Sequence, residues 1–164
     1  MTRWVGAIVL AACATSAAAQ ESGWTFSPYP GEGDRAAMGC SYGSTPEEHA
    51  CVVVRCEDDF TVAVYLDTTR QGGDAGRWLM QIDRQVYEIA AVAVEGSPYG
   101  AKVDGDVAPI IDHIKNGDSF FVDPQDGPEP PNRGIGLAGS LHAINQALYF
   151  CAPRVVEEGE PGDE

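Results

Sequence analysis

What this 164-residue chain lacks narrows its function more quickly than what it contains. Basic residues are scarce: 10 Lys and Arg stand against 25 Asp and Glu, a formal charge of −15. No cluster of Lys and Arg offsets that charge, which excludes nucleic acid as a partner. A cationic ligand or an unidentified protein partner is compatible with such a surface, and the charge also keeps the chain soluble. Histidine is scarcer still, at His49, His113 and His142. No two of them share the i, i+4 spacing or any metal-ligand spacing, so no metal site is expected. No G-x-S-x-G is present, and Ser140 near His142 is better used to start a helix than as a nucleophile. Long apolar runs are absent beyond the N-terminus, so no transmembrane segment is expected.

The N-terminus has the layout of a secretory signal. Arg3 supplies a small positive region, Trp4 to Ala14 is apolar, and Ala17-Ala18-Ala19 ends in an A-x-A pattern. Cleavage after Ala19 is the expectation; the alternative is a lipobox at Leu10-Ala11-Ala12-Cys13, which makes Cys13 a lipid anchor. Either reading places the protein in the periplasm or outside the cell. Residues 20–35 are rich in Gly, Pro and acids and read as an irregular arm. Residues 36–153 read as one β-rich domain, and 154–164 as an acidic disordered tail.

Setting Cys13 aside leaves Cys40, Cys51, Cys56 and Cys151, an even number that reads as two disulfides in an exported chain. Three connectivities are possible. In CVVVRC the residues Val52, Val54 and Cys56 share one face of a strand, and Cys51, Val53 and Arg55 share the other. After the turn Glu57-Asp58-Asp59, the run FTVAVYL alternates again, with Phe60, Val62, Val64 and Leu66 on the apolar face. Two further strands, Arg77–Asp83 and Val86–Val94, follow a glycine loop. Asp106–Asn116 is a short helix with an Ile stripe, capped by Asp106. Ser140 is expected to cap a second helix, 140–151, whose apolar stripe is Leu141, Ile144, Leu148 and Cys151. Cys151 then faces the core side of its helix as Cys56 faces the core side of its strand. This predicts Cys56–Cys151 and, by remainder, Cys40–Cys51. The fold expected is α+β and β-rich: an antiparallel, sandwich-like sheet of about seven strands with two short helices.

Two motifs invite a ligand and are better read as structure. Gly134-Ile135-Gly136-Leu137-Ala138-Gly139 satisfies G-x-G-x-x-G, but no further strand follows its helix, so no dinucleotide cofactor is expected. Asp104-Gly105-Asp106 and Asp123-Pro124-Gln125-Asp126-Gly127 lack the alternating ligands and closing Glu of a calcium loop and read as turns.

The stretches VVVRCEDDFTVAVYLDT, MQID, DVAPIIDHIKNGDSFFV and IGLAGSLHAINQALYFC, in that order, resemble a loose group of small exported proteobacterial proteins. The group includes VasI-type accessory proteins of type VI secretion and, more remotely, invasion-associated locus B proteins. Gln81 stands where that group carries Arg, Tyr87 replaces a Trp, and Ile135 replaces a Phe. The resemblance implies an exported accessory or binding domain of the cell envelope without a catalytic centre. A second expectation is an acidic inhibitor of a cationic enzyme such as lysozyme, with Ser97-Pro98-Tyr99-Gly100 as a faint counterpart of the Tyr loop found in such inhibitors.

Overall fold

A computed structural model describes residues 23–29 and 34–152. The predicted signal peptide, Cys13 and the acidic tail lie outside the described residues. Nine strands form one antiparallel sheet: β1 (Thr25–Phe26), β2 (Ala36–Cys40), β3 (Ala50–Cys56), β4 (Val62–Thr68), β5 (Gly76–Ile82), β6 (Gln85–Ala93), β7 (Ala101–Val103), β8 (Ser119–Pro124) and β9 (Gly134–Gly136). Two helices accompany them, α1 (Ala108–Asn116) and α2 (Ser140–Leu148). The described residues are thus α+β and β-rich as expected, with nine strands where about seven were expected, all in one curled antiparallel sheet.

The spatial order is β1-β2-β3-β4-β7-β6-β5-β8-β9. The sheet curls far enough for its ends to meet, because Ser41, just past β2, bridges Ile135 of β9. The Tyr42 amide donates to the Gly134 carbonyl at 3.3 Å, and the Trp24 indole donates to the Gly136 carbonyl at 3.1 Å. Trp24 is only 8% exposed and joins the core, so the stretch 20–35 is not wholly irregular. Its ring lies on Gly39, where an added Cβ would fall 2.3 Å from Trp24 Cε2. Glycine at position 39 therefore makes room for the indole.

The concave face holds the main core. Val52, Val54, Val64, Leu66, Trp78, Met80 and Ile82 meet Ile110, Ile111 and Ile114 of α1 and Ala143, Ile144 and Ala147 of α2. Burial of this kind contributes about 1.5–3 kcal/mol for each large apolar side chain. The Ile stripe of α1 is the one expected, but the helix begins at Ala108 with Val107 as its cap residue. Asp106 lies one position earlier and accepts the Ala108 amide at 3.0 Å. In α2 the cap residue is Gly139, whose φ of 87° suits glycine. Ser140 is not the cap. It is 1% exposed, and its hydroxyl donates to the Ile114 carbonyl at 2.7 Å, tying α2 to the end of α1.

The stripe of α2 also differs from the one expected. Small residues face the sheet, Leu141 is 48% exposed, and the helix ends at Leu148 in a 3-10 turn, Tyr149–Cys151. Ile144 and Leu148 meet the core as expected, Leu141 does not, and Ala143 and Ala147 complete the buried face in its place. Phe60 is likewise no part of the core. It sits in the β3–β4 turn with φ 64° and is 56% exposed.

Candidate functional site

The outer face of β2, β3 and β4 is not bare. Ala36, Val53, Ala63, Tyr65 and Tyr99 form a second buried cluster there, with Tyr29 and Met38 packed on it. Residues 97–100 cover it, and Tyr99 is 1% exposed. Beneath them a polar network ties the arm to the sheet. Tyr99 donates its hydroxyl to Asp34, Arg55 Nε donates to Asp34 at 3.0 Å, and Arg55 pairs with Glu57. The Tyr65 hydroxyl donates to Glu57 at 2.6 Å. Burial first, and the neighbouring carboxylates second, push both the Tyr65 and Tyr99 phenols above their ordinary value. Every group in this network has a partner, so it fastens the fold and leaves nothing for a ligand.

Beside that cluster lies a groove of about 530 Å³. The register explains it. Cys40 of β2 lies directly opposite Cys51 of β3, which lies opposite Asp67 of β4. The disulfide Cys40–Cys51 is therefore a cross-strand bridge, and with Met38 it floors the groove. Thr25, Pro28 and Tyr29 form one wall; Ser44, Thr45, Pro46 and His49 of the β2–β3 loop form the other. That loop is held by paired bonds between Thr45 and Glu48 and by the Ser41–Ser44 hydroxyl bond at 2.9 Å. The His49 amide donates to Thr69 Oγ1 at 2.9 Å, anchoring the loop's far end beside β4.

Chemically the groove is apolar on its floor and hydroxylated along its rim, with one carboxylate and no Lys or Arg in its lining. His49 Nδ1 lies 3.2 Å from the Thr45 carbonyl, and Nε2 lies 3.6 Å from Asp67 Oδ1. Both ring nitrogens face acceptors, and neither contacts a serine or threonine hydroxyl.

Sequence reasoning paired Cys40 with Cys51, as the structure has them, and left His49 apart in a polar loop; the fold brings His49 to the same groove. Asp67 and Met38 were missed. The legible signal for Asp67 was the alternation of β4, which sets it on the same face as Tyr65. Cys56 and Cys151 form the second disulfide, away from the groove, with Cα atoms 5.6 Å apart. His113 is far from both, with Nδ1 hydrogen-bonded to the Tyr87 hydroxyl and 2.9 Å from the Pro109 carbonyl. His142 is exposed on α2.

The other suspected motifs have structural partners. Gly134–Gly136 is β9, and Gly39, Gly134 and Gly136 admit Trp24, Phe121 and Tyr42 at close range. Asp126 forms a two-point bond with Arg77, both contacts at 3.1 Å. Among the described residues no group of three or more His, Cys, Asp and Glu is placed to hold a metal ion. In Ser97-Pro98-Tyr99-Gly100 only Tyr99 is buried, while Gly100 packs where a Cβ would meet Asp74 Oδ2 at 2.1 Å. Asp74 itself accepts the Thr68 amide and hydroxyl, while burial pushes its carboxyl up.

The fold and groove together define a class: a disulfide-braced β-rich domain with an outer-face cleft. No family model matches the chain, and no curated protein matches it. Among solved structures, the crystal structure of invasion associated protein B from Bartonella henselae is similar at 15% identity. The match covers 71% of this chain and 92% of that one, with a TM-score of 0.42. A likeness of that degree carries no conclusion about this chain's role. No helix among the described residues is long and apolar enough to cross a membrane.

Proposed function

We propose that this protein is an exported, non-catalytic binding domain of the bacterial cell envelope that holds its ligand in the outer-face groove. The observation that carries the reading is the groove's construction. A cross-strand disulfide floors it, a loop pinned at both ends walls it, and the one imidazole in the lining is turned toward acceptors rather than a nucleophile. Small-molecule sites are concave and largely preformed, with an apolar floor and few polar groups, and this cleft has that character. Two disulfides suit a compartment outside the cytoplasm. The inhibitor reading loses its motif, because Tyr99 is buried and its hydroxyl is engaged by Asp34.

Cell fractionation of a tagged chain tests the location, with the periplasm or the medium as the expected fraction. A hydrolase screen on ester and cell-wall substrates tests the absence of catalysis. Turnover that disappears in His49→Ala would refute it. Native capture from periplasmic extract, compared between the wild type and a variant with the groove filled by Ser44→Trp, tests the site; equal capture of the same molecule would place binding elsewhere.

A further inference from the structure

Asp67 is out of character for the end of a groove. Its side chain is 20% exposed, yet among the described residues no donor hydrogen-bonds to it. Its one polar contact among the described residues is His49 Nε2 at 3.6 Å, an ion pair only when that imidazole is protonated and too long for a hydrogen bond. The carboxylate also adds to the negative field at buried Asp74, so the two acids load this end of the sheet with charge of one sign. Removing a carboxylate most of the way from water without a donor is costly, and a ligand that brings the donor recovers that cost. Apart from the His49 imidazole the rim adds only hydroxyls, and no Lys or Arg in the lining welcomes an anion.

The row of residues across the strands sets the ligand's length. Asp67, Cys51 and Cys40 are neighbours in register on β4, β3 and β2. Continuing the β1–β2 register sets Gly23, which also lines the groove, beside Cys40. Three steps of about 4.8 Å make this row about 14 Å long. One end is the Asp67 carboxylate and the other is Gly23. Between them lie the disulfide, Met38 and the ring of Tyr29, an apolar bed.

Resting on the reading of the groove as the binding site, we propose that it takes an organic cation. An ammonium or guanidinium binds Asp67, and its apolar stem lies along the disulfide and Met38. A free alkylamine and the basic side chain of a polypeptide share this chemistry. Stems of this kind bury their methylenes while the charged head finds its own partner. The chain's net charge of −15 draws such ligands in.

The test titrates the full chain with n-hexylammonium, n-hexanol and hexanoate, following the Met38 methyl resonance by NMR. Hexylammonium is expected to bind at least tenfold more tightly than hexanol, and hexanoate more weakly than either. Asp67→Asn is expected to lower hexylammonium affinity tenfold or more and leave hexanol unchanged, whereas Asp126→Asn changes neither. If Asp67→Asn fails to fold, added salt serves instead: it weakens hexylammonium and not hexanol. A capped peptide with one lysine separates the sources. Tighter binding than hexylammonium assigns the site to a polypeptide, weaker binding assigns it to a free amine, and both uphold the cation.

Equal affinity for hexylammonium and hexanol, or preference for hexanoate, overturns the cation proposal while the groove stands as a site. If none of the four probes moves Met38, both readings fall.

Discussion

The two disulfides span very different lengths of chain, and this makes their contributions separable. Cys56 and Cys151 are 95 residues apart, Cys40 and Cys51 only 11. Cross-linking stabilises chiefly by removing conformations from the unfolded chain, in proportion to the logarithm of the loop. The chain-entropy relation gives about 4.7 kcal/mol for the long loop and about 2.8 kcal/mol for the short one. For a domain of this size, each kcal/mol moves the melting temperature by roughly 3–4 °C. Cys56→Ala with Cys151→Ala should therefore lower Tm by about 15 °C, and Cys40→Ala with Cys51→Ala by about 10 °C. Circular dichroism melts of the two double variants, beside the wild type, measure the difference. The structure adds a reason for the order. β2 and β3 stay paired over five residue positions without their bridge, whereas the 3-10 turn carrying Cys151 ends the described chain with no strand pairing. If the short-loop pair costs as much as the long-loop pair, the loop-entropy reasoning is refuted and the cross-strand bridge has another role.

Three further outcomes follow from the same structure. Trp24→Ala should cost about 3–5 kcal/mol in urea unfolding and Gly39→Ala about 1–3, since one removes the indole and the other displaces it. A chain beginning at Ala36 that unfolds at the same urea concentration as the longer one would show that Trp24 does not seal the sheet. The Tyr65 and Tyr99 phenols are raised in the folded protein above the unfolded value of about 10. Their contribution is therefore complete below pH about 10 and is lost as pH rises through and beyond that point, where the unfolded chain ionises first. Tyr65→Phe should flatten part of the alkaline fall in unfolding free energy, and an unchanged slope would count against the network. Asp83 accepts the Asp118 and Ser119 amides and the Ser119 hydroxyl, and these bonds hold its carboxyl below the usual range. The stability it contributes is present above pH about 4 and lost as pH falls below that. Asp83→Asn should weaken that acid dependence, measured as Tm against pH.

Much of the scaffold was legible because it is periodic. Alternation in β3 and β4 sets Val52, Val54, Val64 and Leu66 inward, and the Ile stripe of α1 needs nothing from outside its own helix. Asp83 in MQID was read as the end of its strand, whereas β5 ends at Ile82 and Asp83 stands in the turn before β6, which begins at Gln85. Ser140 was misplaced as a cap because a serine before an apolar stripe looks alike in both roles. Only the nearby Ile114 carbonyl decides that its hydroxyl donates outward. On α2, Ile144 and Leu148 were read inward correctly but Leu141 was not, because close packing selects alanine and bulk alone does not reveal closeness.

Composition and pattern, then, determined the acidic surface, the α+β character and the two inward-facing stripes, all properties a segment has by itself. Tertiary structure alone decided that the outer face of β3 is covered by a strap carrying Tyr99. It also decided that Trp24 spans the two ends of the sheet, and that Cys40, Cys51, His49 and Asp67 line one groove. Those facts depend on how far the sheet curls and which strands become neighbours. Such long-range pairings are favoured by burial summed over the whole core and leave no periodic mark on any one stretch of chain.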